Sequence, residues 1–335
     1  MGAGGRAGSG DTAAAESLTD RFDRFQRRHP HAAVPLAVLY KFFDDQGNYL
    51  AALIAFYGFL SLVPLLLLSS TVLGFVLQGH RALQRSLLNS ALGQFPVVGH
   101  QLADPHGISG GGVGLAVGIA GALYGGLGVA QAAQNAMNTM WRVPRNSRPN
   151  PIRSRLRSLV LLAVVGVAVI ATTGLAALGS VFGGLGVAAK VGIGAGTLLI
   201  NTVVFVAAFR AATARDISVR DTLPGATASA TLWLALQYVG SLYVAHVVRH
   251  ASEINGVFAV VLGLIVWLYL ESLIVVLAVE YNTVRALRLY PRALLTPLTD
   301  DVDLTAADRT SYTQQARAAR AKGFEKIDVR FDKHG

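Results

Sequence analysis

The chain has 335 residues, of which 53% are hydrophobic and only 14% are charged, with a net charge of +10. Soluble domains average about 25% charged residues, so this composition argues against a soluble protein. The sequence contains no cysteine, which excludes disulfides and iron–sulfur clusters. In so hydrophobic a chain, the positive charge is typical of basic loops at an anionic membrane surface.

Six long hydrophobic blocks that are nearly free of charge follow one another along the chain. Crossing about 30 Å of hydrocarbon takes about 20 residues of α-helix, and most of these blocks exceed that length. Soluble helices of this length need a polar face toward water, which the blocks lack. We therefore predict an all-α integral membrane bundle of about six transmembrane helices, at residues 50–77, 108–134, 158–189, 191–209, 222–245 and 254–281.

Two shorter segments, 35–45 and 80–95, are predicted to form amphipathic helices at the membrane interface. Both are too short and too polar to span the hydrocarbon, and both carry apolar residues at helical spacing. Lys41 lies off the apolar stripe of the first segment. That stripe consists of Leu36, Leu39, Tyr40 and Phe43.

The distribution of basic residues predicts an orientation. If the segment before the first span is cytoplasmic, the cytoplasmic segments hold 25 of the 29 lysines and arginines. Because cytoplasmic loops are enriched in Lys and Arg, we expect a multi-pass protein of the plasma (inner) membrane with both termini in the cytoplasm. We expect a disordered tail at 1–33 and a membrane domain at 34–290. The tail at 291–335 is predicted to be mostly disordered, with one helix around 306–322.

Three short stretches in this order resemble a known family. They are 51–57 (AALIAFY) running on to 61–65 (SLVPL), then 138–143 (NTMWRV), then 267–269 (WLY) leading to 278–282 (AVEYN). Together they are similar to the BrkB/YihY-like family of bacterial inner-membrane proteins, once described as ribonuclease BN. The resemblance covers about residues 35–290 and departs from the family pattern at Val279 and Glu271. It implies a six-span frame and a role in envelope integrity and survival in a host.

The middle of the first span carries Tyr57, Ser61 and Pro64. Proline removes one backbone hydrogen bond and crowds the preceding turn, so we expect a kink at Pro64. The Ser61 hydroxyl is expected to donate to the carbonyl of Tyr57 or Gly58. Two interpretations stay open: a structural kink, or an opened backbone that lines a substrate path.

The sixth span contains two acidic residues, Glu271 and Glu280. A charge near the bilayer centre costs about 2.5–3.5 kcal/mol on insertion scales, so we expect Glu271 to face inward, be protonated or face water. It is either a proton or cation site or a tolerated polar residue. Glu280 follows nine residues later and points to the opposite side. We expect it to form a structural ion pair with Arg210, Arg215 or Arg285.

Small and amide residues alternate along the second span. Its glycines are spaced 4-3-4-3 on one seam, a pattern that favours close helix packing. Asn135 and Asn138 then continue the helix toward Trp141, and they either join helices or line a polar vestibule. The seam consists of Gly114, Gly118, Gly121, Gly125 and Gly128.

The segment 141–157 carries six arginines, and we expect them to contact anionic lipid headgroups. Trp141 is the only aromatic residue there, so the stacking platform of a nucleic-acid site is missing. The expected partners are therefore membrane lipids, and beyond these envelope proteins or a second copy of the chain, but no nucleic acid. The arginines are Arg142, Arg145, Arg148, Arg153, Arg155 and Arg157.

The sequence has no histidine-rich metal cluster and no Walker-type phosphate loop, so we predict neither an enzyme nor a cofactor. We expect an envelope membrane protein that transports or translocates a lipid or another envelope substrate. Kinked and polar transmembrane helices are expected to line its path. The alternative is a non-transporting membrane scaffold that holds partners required for envelope integrity.

Overall fold

The structure is a computed structural model that describes residues 23–26, 28–76, 112–181, 186–247, 253–294, 296 and 302–332. Within these ranges the secondary structure is helical and contains no strand. Short 3-10 turns lie at Pro30–Ala33 and Arg145–Ser147. The α-helices are α1 (Val34–Asp44), α2 (Gly47–Val76), α3 (Gly112–Met140), α4 (Pro151–Val181), α5 (Val187–Ala212), α6 (Val219–Val247), α7 (Glu253–Ala286) and α8 (Ala306–Ala318).

Helices α2 to α7 form a closed ring. The shortest has 26 residues and the longest 34, so even the shortest is about 39 Å long at 1.5 Å per residue. Each packs against the next, α7 packs back against α2, and α1 packs against α7 and α2. The six helices coincide with the six predicted blocks, and the prediction of an all-α membrane bundle is confirmed.

Three of the described helical segments are long and apolar enough to cross a membrane, judged by length and composition. Their mean hydropathy is 2.0 to 2.4. The apolar segment Gly47–Leu62 of α2 is shorter. The three segments are Pro151–Thr172, Val191–Ala212 and Val261–Ala286.

The boundaries of α4 were predicted wrongly at both ends, since the helix was expected at 158–189 and spans Pro151–Val181. Proline is favoured in the first turn of a helix because its missing N–H would have no partner there. The Asn150 side chain accepts a hydrogen bond from the Arg153 backbone N–H at 2.9 Å and so caps the helix. The second half of the segment 141–157 is therefore helical.

The first predicted amphipathic helix, 35–45, corresponds to α1, and the second, 80–95, lies outside the described residues. The outward face of α1 carries Phe43, which is 64% exposed, and Leu39. Lys41, which lies off the apolar stripe, faces the bundle and is fully buried. Leu39 and Phe43 of the apolar stripe thus point away from the protein, whereas Tyr40 is half-buried and donates a hydrogen bond to the Leu294 carbonyl.

Helices α2 and α3 approach each other along the predicted glycine seam. A Cβ atom at Gly125 would lie 2.6 Å from the Cα of Ser61, and one at Gly128 would lie 2.3 Å from the ring of Tyr57. Real Cβ atoms do not approach other heavy atoms so closely, and only glycine allows this contact. Close packing at this part of the seam is confirmed.

We expect Gly128→Ala to lower the stability of the purified protein by about 1–3 kcal/mol, because the new methyl group overlaps the Tyr57 ring. The matched control is Gly166→Ala on α4, where a Cβ meets no atom within 4 Å. Alanine favours helix by about 1 kcal/mol over glycine, so the control should be neutral or stabilising. Thermal unfolding in detergent measures both, and equal unfolding temperatures for the two variants would contradict the packing.

Candidate functional site

Polar side chains from distant parts of the chain meet at one end of the ring, which we call the basic end. It contains the end of α1, the end of α3 with the segment after it, the α5–α6 connection, and the end of α7. Two of the stretches that carry the family resemblance, 138–143 and 278–282, lie in it, and the first stretch begins at the next residue of α2, at position 51. The basic end consists of residues 41–50, 134–158, 209–225 and 278–294.

The centre of the basic end is the buried ammonium group of Lys41. Its Nζ donates to Asp45 Oδ2 at 2.6 Å, to Glu280 Oε2 at 2.7 Å and to the Met140 carbonyl at 2.8 Å. A lysine has three N–H donors, so all three are used. Arg142 Nη1 lies 2.6 Å from Asp45 Oδ1. Two cations and two carboxylates thus form a neutral group, which we call the Lys41 cluster.

The predicted ion pair of Glu280 is present, but its partner is Lys41 and not Arg210, Arg215 or Arg285. Arg210 lies in an exposed contact with another carboxylate, and Arg285 lies over a tyrosine ring. Lys41 stands 239 positions away in the sequence, and it reaches Glu280 because α1 packs against α7. The nature of the interaction was predicted correctly and the partner wrongly.

The backbone at Arg142 adopts a left-handed conformation, which is uncommon for a residue other than glycine. Helix α3 ends in a tight turn in which the Val143 N–H donates to the Asn138 carbonyl at 2.8 Å and the Arg142 N–H to the Thr139 carbonyl at 3.0 Å. This motif needs a left-handed residue, usually glycine, at the position of Arg142, whose φ is 54°. The left-handed conformation costs a non-glycine residue about 1–2 kcal/mol. The ion pair with Asp45 offsets part of this cost.

Two asparagine side chains connect the remaining helices of the basic end. Asn138 Oδ1 accepts a hydrogen bond from the Ala214 N–H at 2.7 Å and so ties α3 to the α5–α6 connection. Asn282 accepts from the Gly225 N–H at 2.7 Å and donates to the Thr222 carbonyl at 3.0 Å. Of the two roles left open for Asn138, the structure shows the joining of elements, because the side chain is buried.

A cavity of about 470 Å³ opens at the basic end, between the α1–α2 junction, the end of α3 and helix α8. Asp44 and Asp45 also line it, but Asp45 already pairs with Lys41 and Arg142, and Asp44 with Arg292. The lining also includes one tyrosine, two uncharged polar residues at the end of α3, and three arginines. These are Tyr49, Asn135, Thr139, Arg142, Arg145 and Arg148.

Arg148 is held in the cavity by neutral acceptors. It donates to Asn135 Oδ1 at 2.9 Å, to Thr139 Oγ1 at 3.4 Å and to the Val143 carbonyl at 3.3 Å. Burial, and after it the neighbouring Arg145 cation, lowers the pKa of Arg148. Both causes disfavour the charged form, so the guanidinium group stands where an anion would stabilise it.

Helix α8 forms one wall of the cavity, and it is the helix that was predicted around 306–322. The fully buried Arg292 donates to Asp308 on α8 and to Asp44 at 3.2 Å on α1. Thr305 and Asp308 cap the start of the helix reciprocally. Gln315 donates to the Asp44 carbonyl at 3.2 Å. This part of the tail is thus seated on the bundle.

The candidate residues of the first span lie elsewhere. Tyr57 and Ser61 pack against the glycine seam of α3, and Pro64 lies where a Cβ at Gly121 would approach to 2.7 Å. The Ser61 hydroxyl donates to the Gly58 carbonyl at 2.8 Å, as predicted. The structure places these residues in a helix–helix contact and does not bring them to the cavity.

Glu271 faces inward, as predicted, and is buried. The indole Nε1 of Trp267, one turn earlier on α7, donates to its Oε1 at 2.8 Å. Within the described part of the chain, Glu271 has no ion-pair partner and does not line the cavity at the basic end. Its carboxyl and that of Glu280 have separate partners, in keeping with their opposite directions on the helix.

The six arginines of 141–157 fall into two groups. Arg142, Arg145 and Arg148 line the cavity, and Arg142 is buried, so it is not a surface contact for headgroups as predicted. The other three lie on the first turns of α4, where Arg153 and Arg155 are exposed.

The three arginines that line the cavity make it suitable for binding an anion. Where the structure describes the chain, no group of three or more histidine, aspartate or glutamate side chains is placed to hold a metal ion. The described part of the basic end therefore offers no metal centre.

The family model described as virulence factor BrkB matches residues 38–301, which is more than half of the chain. The match includes the whole Lys41 cluster and the three cavity arginines, whereas α8 lies beyond it. No curated protein and no solved structure matches the chain.

We expect Lys41→Met to destabilise the protein by about 3–5 kcal/mol, because it leaves the buried Glu280 carboxylate unpaired. Asp45 keeps Arg142 as a partner, so Glu280 is the stranded charge. Adding Glu280→Gln should therefore recover part of the loss. Unfolding temperatures of the single and double variants in detergent measure this, and a double variant less stable than Lys41→Met would contradict the account.

Proposed function

The chain belongs to the virulence factor BrkB family of membrane proteins, and on that premise we propose that it binds and translocates an envelope lipid, or another amphiphilic envelope substrate, from the basic end of its bundle. The proposed activity is non-catalytic and uses no cofactor. The proposed partners are membrane lipids. The polar group of the substrate enters the cavity, and its apolar part stays on the outer surface of α1 and α2.

One observation carries this proposal: a polar cavity opens directly beside an exposed apolar surface. Phe43 and Tyr49 are 64% and 69% exposed, and Leu53 continues the same apolar surface along α2. Tyr49 also lines the cavity, next to the arginines. An amphiphile needs both environments within the length of one molecule, and the α1–α2 junction offers them side by side.

We further propose that the basic end lies in the cytoplasm, at the inner leaflet of the plasma membrane. The segments that form it carry 13 of the 29 lysines and arginines, against four in the loops predicted on the other side of the membrane, and positive loops stay on the cytoplasmic side. Anionic lipids of that leaflet attract such segments. With six spans, both termini then lie in the cytoplasm.

The alternative is a non-transporting scaffold, and the contacts inside the ring favour it to a degree. Tyr57, Ser61 and Pro64 pack tightly against glycines, and Glu271 is satisfied by an indole. The first three residues join α2 to α3, and the Trp267–Glu271 hydrogen bond lies within α7, so neither set of contacts supports a substrate path along these residues. The proposal therefore rests on the cavity and the apolar surface of α1 and α2 alone.

Reconstituted vesicles test translocation directly. Vesicles with acyl-labelled fluorescent phospholipid in both leaflets receive an impermeant quencher, and we expect the protein to make the inner-leaflet label accessible. Arg145→Gln/Arg148→Gln should slow this severalfold, because both side chains line the cavity.

The matched control for this assay is Arg153→Gln/Arg155→Gln, which removes the same charge from exposed positions outside the cavity. It should behave like the unmodified protein. Wild-type vesicles that quench no faster than empty ones would contradict translocation and favour the scaffold.

Orientation is measurable because the chain has no native cysteine. Ser147→Cys and Thr310→Cys both place a thiol at an exposed position, after α3 and on α8. In intact cells both should be shielded from an impermeant thiol reagent until the membrane is permeabilised. His106→Cys, between the first two predicted spans, should react at once. Reaction at Ser147→Cys without permeabilisation would reverse the proposed orientation.

A further inference from the structure

We propose that the cavity at the basic end is a built binding site for a phosphate group, with Arg145 and Arg148 as its cationic ligands and Asn135 and Thr139 as the residues that orient Arg148. The inference deepens the proposed function, because it names the part of the substrate that the cavity recognises. Only one part of the inference rests on the proposed function, namely that the phosphate group belongs to a lipid headgroup.

The cavity lining has more positive than negative charge once its ion pairs are taken into account. Asp45 is taken by Lys41 and Arg142, and Asp44 lies 3.2 Å from Arg292. In the described part of the chain, neither Arg145 nor Arg148 has a carboxylate partner. Two guanidinium groups therefore face the cavity without a countercharge.

The third arginine adds donors that lack an acceptor. The side chain of Arg142 is only 6% exposed, and its Nη1 contacts Asp45. Its Nε and Nη2 atoms are buried and have no hydrogen-bond partner. Buried donors of a cation are costly when unpaired. Because Arg142 also lines the cavity, an anion bound there would add negative charge beside this incompletely paired cation.

Arg148 is oriented before any ligand binds. Its three hydrogen bonds go to a side-chain amide, a hydroxyl and a backbone carbonyl, and none neutralises it. A guanidinium group held by neutral acceptors keeps its full charge and loses its freedom to rotate. Such preorganisation lowers the entropy lost on binding.

The chemistry and the size of the cavity favour phosphate. Guanidinium groups bind phosphate oxygens through paired, charge-assisted hydrogen bonds. A phosphate group carries enough oxygens to engage Arg145 and Arg148 together. The volume of about 470 Å³ exceeds that of a bare ion and leaves room for a phosphate ester, such as a lipid headgroup.

Binding to the purified full-length protein in non-ionic detergent tests the site. The probes are inorganic phosphate and phosphatidic acid in mixed micelles, each titrated at constant ionic strength. Acetate at equal concentration serves as a competitor. We expect saturable binding that acetate does not displace.

Three variants separate a site from a general charge effect. Arg145→Gln/Arg148→Gln should weaken binding by about tenfold or more, the size expected for lost charge-assisted hydrogen bonds. Arg153→Gln/Arg155→Gln, which removes the same charge elsewhere, should change it less than about twofold. Asn135→Leu changes no charge and should weaken binding severalfold, because Arg148 loses its 2.9 Å contact. If the double variant does not fold, Arg145→Gln alone replaces it in the test. Arg145 is exposed, so this single substitution should preserve the fold.

Each outcome has a distinct meaning. Binding of phosphatidic acid that inorganic phosphate displaces supports the site and its lipid source. Binding of inorganic phosphate without binding of phosphatidic acid supports the site. It contradicts a lipid headgroup as the ligand and therefore contradicts the proposed translocation. No saturable binding of either probe overturns the inference, as does equal weakening by both double variants or displacement by acetate.

Discussion

The buried ammonium group of Lys41 is the interaction on which the basic end depends. Its three donors reach α1, α3 and α7, so one side chain fixes three helix ends relative to one another. The Met140 carbonyl lies at the C-terminus of α3, where the helix dipole favours a cation. Because Glu280 lies near the C-terminus of α7, where the dipole disfavours an anion, it needs this cation in particular. Without it, a buried carboxylate would stand among apolar helices.

The cluster also determines which charges remain for function. Two cations and two carboxylates neutralise each other inside, and Arg292 holds the remaining acidic residue of the cavity lining. Arg145 and Arg148, just beyond the cluster, then face the cavity with no countercharge among the residues that the structure describes. The left-handed backbone at Arg142 turns the chain from α3 into this segment and so sets the wall of the cavity. The internal ion pairs and the proposed anion site are thus parts of one charge arrangement.

Local patterns predicted much of the fold from the sequence. Uncharged runs located the six long helices, and the glycine spacing indicated the α2–α3 contact, because both signals depend on neighbours within a few turns. The start of α4 was misplaced, although Asn150 and Pro151 together form a recognisable helix start. The second amphipathic segment, 80–95, lies outside the described residues.

Long-range contacts of single residues were not predictable in this way. Glu280 was expected to be paired, since a buried carboxylate requires it, but nothing in the sequence marks a residue 239 positions away as the partner. Lys41 was predicted to lie off the apolar stripe, and only the packing of α1 shows that Lys41 faces the bundle while Leu39 and Phe43 of the stripe face outward. The cavity was missed because its walls come from α1, α2, α3 and α8, and no short motif contains them.

Hydrogen exchange measures the role of the Lys41 ammonium group most directly. In Lys41→Met, amide exchange should accelerate together in α1, in residues 141–143 and at the C-terminal end of α7, the three elements that the ammonium group joins. Exchange in the α4–α5 contact, which lies away from the cluster, should stay as slow as in the unmodified protein. Unchanged exchange at all three elements, or uniform acceleration across the whole ring, would contradict the account.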